Sequence, residues 1–186
     1  LIEKFSLDRV HKAGAVFDPE KVRWFQHEYF KTIPTDELVE PYIDKVKGEG
    51  FEVNKTTAKS IIEEIRDRAD QVNDLWEQSY FYFVTPNEYD AKAVKKMWKG
   101  DIEERIEKIQ ELVKEQHDFS RESLRENIKG WIEQSEYGFG KIMQPFRLAL
   151  VGKLTGPGVF HIAATIGKEE TLQRIQHMKE KLRVTD

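Results

Sequence analysis

The sequence predicts an all-α protein, and three observations predict it. Apolar residues recur at three- and four-residue spacing through several stretches, most regularly at Ala58, Ile61, Ile62, Ile65, Ala69 and Val72, the pattern of helices with one buried face. Residues that start and stop helices punctuate these stretches: Asp18-Pro19, Thr35 and Ser120 at starts, Gly152 at a stop. The run with the most strand character, Tyr80-Phe81-Tyr82-Phe83-Val84, has no partner run nearby. It reads as the packed end of a helical layer.

Taken in order, the first sixteen residues hold Ser6-Leu7-Asp8-Arg9-Val10, a short helical turn ahead of Gly14. Asp18 as N-cap and Pro19 at the first helical position open a helix to about residue 32. It carries Val22, Phe25 and Tyr29 on one face, with Trp24 off that face and against a neighbour. Ile33-Pro34 ends it. Thr35 caps a helix over 36–47, which Pro41 either kinks or restarts, and Gly48 and Gly50 break the chain. Thr56 and Thr57 open a long helix whose apolar face continues through Leu75 and Trp76.

Thr85-Pro86 marks the boundary between two helical subdomains, 1–85 and 86–186. Helices over 90–98, 101–116 and 120–136 follow. Ile102, Ile106, Ile109 and Val113 stripe the second of these, and Phe119 and Leu124 flank Ser120 at the spacing of a hydrophobic staple. A mostly apolar helix over 141–151 and another whose first turn suits Pro157 are joined by a tight turn. The last helix, from 168 to about 183, places Leu172, Ile175, Met178 and Leu182 at core spacing.

With 186 residues, 39% hydrophobic and 34% charged, the chain can build a real core and is not of disordered composition. Zero cysteines exclude disulfides and speak against a structural zinc. No run of about 18 apolar residues predicts a membrane span, and the first residues lack the pattern of a signal peptide. A cytoplasmic protein is the expectation, and Leu1 in place of a Met suggests a piece of a longer chain.

Charge is unevenly distributed. Residues 137–168 contain Lys141, Arg147, Lys153 and Lys168 and no Asp or Glu, so they carry +4 and leave −8 to the rest of a chain whose net charge is −4. A protein that held nucleic acid by diffuse charge would be basic throughout; here a localised basic surface would have to do it. Within it, Thr155-Gly156-Pro157-Gly158 brings backbone N–H groups to a helix N-terminus, where the helix dipole favours negative charge.

Residues 140–175, which overlap this stretch, GKIMQPFRLALVGKLTGPGVFHIAATIGKEETLQRI, resemble the C-terminal end of the anticodon-binding region of bacterial-type glutamyl-tRNA synthetases. That family has a Gln/Met-Pro-Leu-Arg-type helix, a Gly-Pro-like turn and a closing Leu-Gly-Lys-Glu. Residues 5–25, FSLDRVHKAGAVFDPEKVRWF, resemble the segment that enters the same region. Two departures stand out: Phe146 replaces the family's common Leu, and Trp24-Phe25-Gln26-His27 puts Gln26 at a position that is often Asn.

The resemblance implies a two-part helical cage around the anticodon loop of glutamate tRNA. Arg68 falls where the family's arginine reads the third anticodon base, which is C for glutamate and G for glutamine. A guanidinium fork suits the O2 and N3 acceptors of an unstacked cytosine. Read from the residues alone, Arg68 is equally a surface ion pair with Glu64 or Asp67. Arg147 matches the arginine of the Pro-Leu-Arg element, for a base or phosphate, or else it snorkels from an apolar helix. Gly156, Pro157, Gly158, Val159 and Phe160 match the turn against the first anticodon base, with Val159 and Phe160 also suited to the core. Lys141 and Lys153 are phosphate candidates.

No catalytic set is expected in these residues. The His-Ile-Gly-His and Lys-Met-Ser-Lys-Ser motifs of class I synthetases are missing, and His161-Ile162-Ala163-Ala164 shares two letters with the first. The resemblance therefore implies no cofactor for this piece and no metal site. ATP and magnesium, and contact with its own catalytic domain, belong to the full-length ligase. A monomer without membrane association is the expectation. The competing reading is a helical protein-interaction module without RNA binding.

Overall fold

The computed structural model describes residues 17–183. The turn expected before Gly14 and residues 5–16 of the N-terminal resemblance lie outside the described residues. Helix α1 (Pro19–Thr32) begins where the Asp18 carboxylate accepts the Glu20 and Lys21 N–H groups. In α2 (Thr35–Gly48) Pro34 takes the cap position and Thr35 is the first helical residue, and the helix runs through Pro41 without restarting. Asn54 rather than a threonine caps α3 (Lys55–Ile65), accepting the Thr57 N–H at 2.9 Å.

The long helix expected through Trp76 is two helices. Beyond Ile65, residues Arg66–Arg68 make one 3-10 turn and Ala69 is extended, before α4 (Val72–Glu77) begins. Two side chains hold this break. Arg66 donates to the Lys31 carbonyl at 2.5 Å, the Ile33 carbonyl at 2.8 Å and Thr35 Oγ1 at 3.0 Å, around the α1–α2 turn. Asp74 accepts the Asp70 and Gln71 N–H groups at 2.9 and 3.2 Å and starts the new helix. Ala69 and Leu75 stay fully buried on either side, so apolar spacing alone could not reveal the interruption.

Tyr80–Tyr82 form a second 3-10 turn with Phe81 and Tyr82 buried. Five helices follow: α5 (Ala91–Met97), α6 (Ile102–Glu115), α7 (Arg121–Gln134), α8 (Phe139–Val151) and α9 (Val159–Ile166). Asp90 and Ser120 cap α5 and α7 with their side chains. The tenth, α10 (Lys168–Arg183), closes the described chain. The all-α expectation holds: no strand occurs among the described residues, and none of their helices is long and apolar enough to cross a membrane. Helix α2 packs on α3 and α4, while α6, α8 and α10 pack on one another. Helix α9 lies against α7, α8 and α10 and touches the 80–82 turn.

Helix α1 differs from its sequence pattern. Val22, Phe25 and Tyr29, which share one face, are exposed, as is Phe17, and Trp24, expected against a neighbour, is exposed too. Its one buried residue is Phe30. The helix is held at its C-terminal end, by Phe30, by Arg66 and by His27 Nδ1 at 2.9 Å from the Asp70 carboxylate. Its earlier turns face no core among the described residues.

The most consequential polar group of the interior is Arg174, 1% exposed on α10. It donates to the Phe81 carbonyl at 2.6 Å, the Leu150 carbonyl at 2.8 Å and Glu170 at 2.6 Å, and Glu170 also accepts from Thr85 Oγ1 at 2.7 Å. Burial by itself would raise the Glu170 carboxyl; the bonds from Arg174 and Thr85 and the guanidinium charge prevail and hold it below the ordinary value. Arg174→Met orphans two carbonyls and a carboxylate, and an unfolding midpoint in urea should report a loss of about 2–5 kcal/mol.

Gly152 ends α8 in the left-handed region, with φ 76°. Its carbonyl accepts the Asp90 N–H at 2.9 Å, and a Cβ there would lie 2.6 Å from the Glu88 carbonyl oxygen. Gly152→Ala therefore meets positive φ and a backbone collision together. It should cost more than the ~1–3 kcal/mol of backbone strain alone, read by the same urea titration.

Candidate nucleic-acid interface

The turn between α8 and α9 is built from both sides. From α8, Arg147 donates through Nη1 to the Pro157 carbonyl at 2.5 Å. From the last turn of α3, Glu64 accepts the Gly158 N–H through Oε1 at 2.9 Å. Glu64 Oε2 in turn accepts from Arg121 at 3.0 Å, at the start of α7. These bonds keep Gly158 extended, so α9 starts at Val159 and Pro157 precedes the cap instead of opening the helix. Gly156, at φ 144°, lies close under Arg147: a Cβ there would be 3.3 Å from Nη1. The Gly158 N–H, expected bare, is already paired.

Arg68 ends the 3-10 turn after α3 and is exposed. The Glu64 ion pair offered for it from sequence is not made, because Glu64 is engaged by Arg121 and Gly158. Arg68 and Arg147 are near enough to interact. Burial, then the Arg68 charge, lower the Arg147 guanidinium from its ordinary value, against an opposing effect of Tyr82. Arg147 thus reaches the turn directly and Arg121 reaches it through the Glu64 carboxylate, while the Arg68 charge is felt at Arg147.

The other expected contacts are placed differently. Pro157, Val159 and Phe160 are buried, and packing accounts for their apolar character. Lys153 is exposed, its Nζ 5.7 Å from the centre of the Tyr80 ring. Lys141 lies six residues before Arg147 on α8 and lines a separate cleft of about 530 Å³ with Lys96, Lys99, Arg105 and the exposed Phe139. The Lys129 ammonium stands 6.0 Å from the Phe139 ring centre. Sequence reasoning passed over Arg121 and this cleft. Arg121 follows a cap serine and carries no local sign that it meets a residue 57 positions away.

Behind the turn, His161 is buried. Its Nδ1 is 2.7 Å from the Tyr82 hydroxyl and its Nε2 is 3.0 Å from Ser60 Oγ. Burial pushes the Tyr82 hydroxyl far up, and the Glu64 charge adds to it. Burial also lowers the His161 imidazole, with Arg121 adding to the effect and Glu64 opposing it.

The anticodon binding domain family matches residues 35–179. The chain belongs to this family. The domain is similar to the glutamate–tRNA ligase of Christiangramia forsetii, 41% identical over 183 residues. It is likewise 40% identical over 176 residues to that of Flavobacterium psychrophilum. It also superposes on the crystal structure of a glutamate tRNA ligase from Elizabethkingia meningosepticum in complex with its amino acid. There the TM-score is 0.92 at 35% identity over 97% of the chain. The match takes in 98% of this chain against the Christiangramia protein and 36% of that relative's length, so the domain spans about a third of the ligases it matches. The resemblance read from 140–175 holds at the level of the family.

His161 yields a pH prediction. Its folded-state pKa lies below the ordinary 6.5, so as pH falls through that value the unfolded chain takes up a proton the folded chain refuses. Stability must therefore drop on acidification in this window. Urea midpoints at about pH 7.5 and about pH 5.5 should differ less in His161→Gln than in the unaltered chain.

Proposed function

We propose that the domain is the tRNA-recognition part of a glutamate–tRNA ligase and that it holds the unstacked anticodon loop of glutamate tRNA. The observation that carries this reading is Arg147 bonded into the 156–158 turn, with the exposed Arg68 close enough for its charge to act on Arg147, in a chain of the anticodon-binding family. Arg68 would read the third anticodon base and Arg147 a base or phosphate. The backbone of 156–160 would face the first base, over a surface narrowed by the burial of Pro157, Val159 and Phe160. Lys141 and Lys153 would meet phosphates on either side.

Two helical subdomains, divided near Thr85-Pro86, would form the walls of this cage. In the full-length ligase the binding energy would help choose which tRNA receives glutamate. ATP and magnesium would serve that ligation at a catalytic domain, and no step here runs through them. A cytoplasmic monomer suits this role, which needs one tRNA and no membrane. The protein-interaction reading is not favoured, since the family match covers most of the chain.

The test is binding of the 186-residue chain to a glutamate anticodon stem-loop and to the same loop with its third anticodon base changed from C to G. The expected result is a preference for C, lost in Arg68→Ala with a cost of about 1–3 kcal/mol, as for one good bidentate base contact. Equal affinity for the two loops would leave the anticodon role standing and remove Arg68 as its reader. No binding even at low salt would overturn the reading.

A further inference from the structure

Glu64 is the residue that joins the most parts of the site. It stands on α3, four positions before Arg68, and its two carboxylate oxygens serve two different elements. One accepts the Gly158 N–H at the start of α9, and the other accepts from Arg121 at the start of α7. Its side chain is 19% exposed, so these bonds are partly shielded from water. Gly158 is shaped to it, because a Cβ there would lie 3.0 Å from Glu64 Oε1 and 3.6 Å from Arg121 Nη2. With Arg147 holding the Pro157 carbonyl from the other side, the single Pro157–Gly158 peptide group is gripped at its oxygen by one wall and at its N–H by the other. Arg68, by contrast, is positioned by the 3-10 turn that Arg66 anchors.

We propose that Glu64 is a positioning residue that sets the place of the 156–158 turn relative to Arg68, and so governs discrimination at the first anticodon base without governing the third. This rests on the anticodon-loop reading above. A charged acceptor suits the role because its bonds are shorter and stronger than neutral ones. It also has an electrostatic cost to binding. A carboxylate at this turn opposes the attraction of phosphate, which is indifferent to sequence. Glu64 therefore trades general RNA affinity for placement of the turn. A residue that merely stabilised the fold would raise both affinity and discrimination.

Two conservative variants separate geometry from charge. Glu64→Asp keeps the charge and shortens the reach by one methylene, so it cannot bridge Gly158 and Arg121. Glu64→Gln removes the charge, keeps its one oxygen for the Gly158 N–H and turns an NH2 donor toward Arg121, which it releases. Affinities would be measured by fluorescence anisotropy for the 186-residue chain at two salt concentrations. The probes are a glutamate anticodon stem-loop and single-base variants at its first and third anticodon positions. Glu64→Asp should lose about threefold or more of the first-base preference, the scale of a fraction of one hydrogen bond, with the third-base preference and the salt dependence unchanged. Glu64→Gln should bind all the loops more tightly while retaining the first-base preference.

Equal losses at both positions in Glu64→Asp would reduce Glu64 to a general structural role. An unchanged first-base preference in that variant would overturn the proposal while leaving the anticodon reading intact, and so would loss of that preference in Glu64→Gln. Failure of the unaltered chain to bind any loop would overturn both. Amide hydrogen exchange at Gly158 supplies a readout independent of RNA: it should accelerate in Glu64→Asp and stay slow in Glu64→Gln, and equal protection in all three proteins would overturn the proposed bond.

Discussion

Arg174 is the group on which the arrangement turns. A guanidinium that is almost completely enclosed needs every donor directed at an acceptor, because an unpaired charge in the interior is far more costly than an unpaired amide. Here the acceptors are the carbonyl of Phe81, in the first half of the chain, and the carbonyl of Leu150 and the carboxylate of Glu170 in the second. Helical carbonyls near a helix end are free to accept, and Leu150 lies one residue from the end of α8. The requirement to satisfy one cation therefore fixes the end of α8, the 80–82 turn and α10 together. The turn that leads into α9 starts from that fixed end.

The site built on this frame is a small set of opposed charges and not a basic expanse. The chain as a whole is acidic, and the candidate surface offers the guanidiniums of Arg68, Arg121 and Arg147 at fixed places. Glu64 lowers the local positive charge and raises the order of the turn. Tyr82, His161 and Ser60 do the same work without charge, closing hydrogen bonds between α3, the 80–82 turn and α9. A surface of this kind gains less from long-range attraction than a lysine-rich one, and more from having its donors in place beforehand.

Much of this was legible in the sequence, for physical reasons that differ from element to element. Asp18, Asp90 and Ser120 announce helix starts because a cap bond is local, spanning two or three residues. Gly152 announces a stop because only glycine takes its φ at little cost. Arg147 and the glycine turn were legible through their carboxylate-free neighbourhood. What stayed hidden was set by distant partners. The interruption after Ile65 depends on Arg66 meeting carbonyls more than thirty residues back, and the fate of Glu64 depends on residues 57 and 94 positions away. Apolar periodicity misread α1, since a stripe of Val22, Phe25 and Tyr29 specifies a face without saying whether anything covers it. The buried arginine of α10 gave no sign at all, because in sequence it sits among Gln173 and Gln176 like any solvated residue.

Helix α1 is, in mechanical terms, a cantilever. Its 14 residues make a rod of about 20 Å, clamped at the Phe30 end and unsupported along the rest of its described length. Arg66, which shares the clamp with Phe30 and His27, stands two residues before Arg68. A tilt of about 5° at the root would carry the tip through about 2 Å, and a load applied at the tip would arrive, through the same lever, at the arginine that anchors the 3-10 turn. The stiffness of that one joint sets how much motion at the far end of α1 is felt where Arg68 stands.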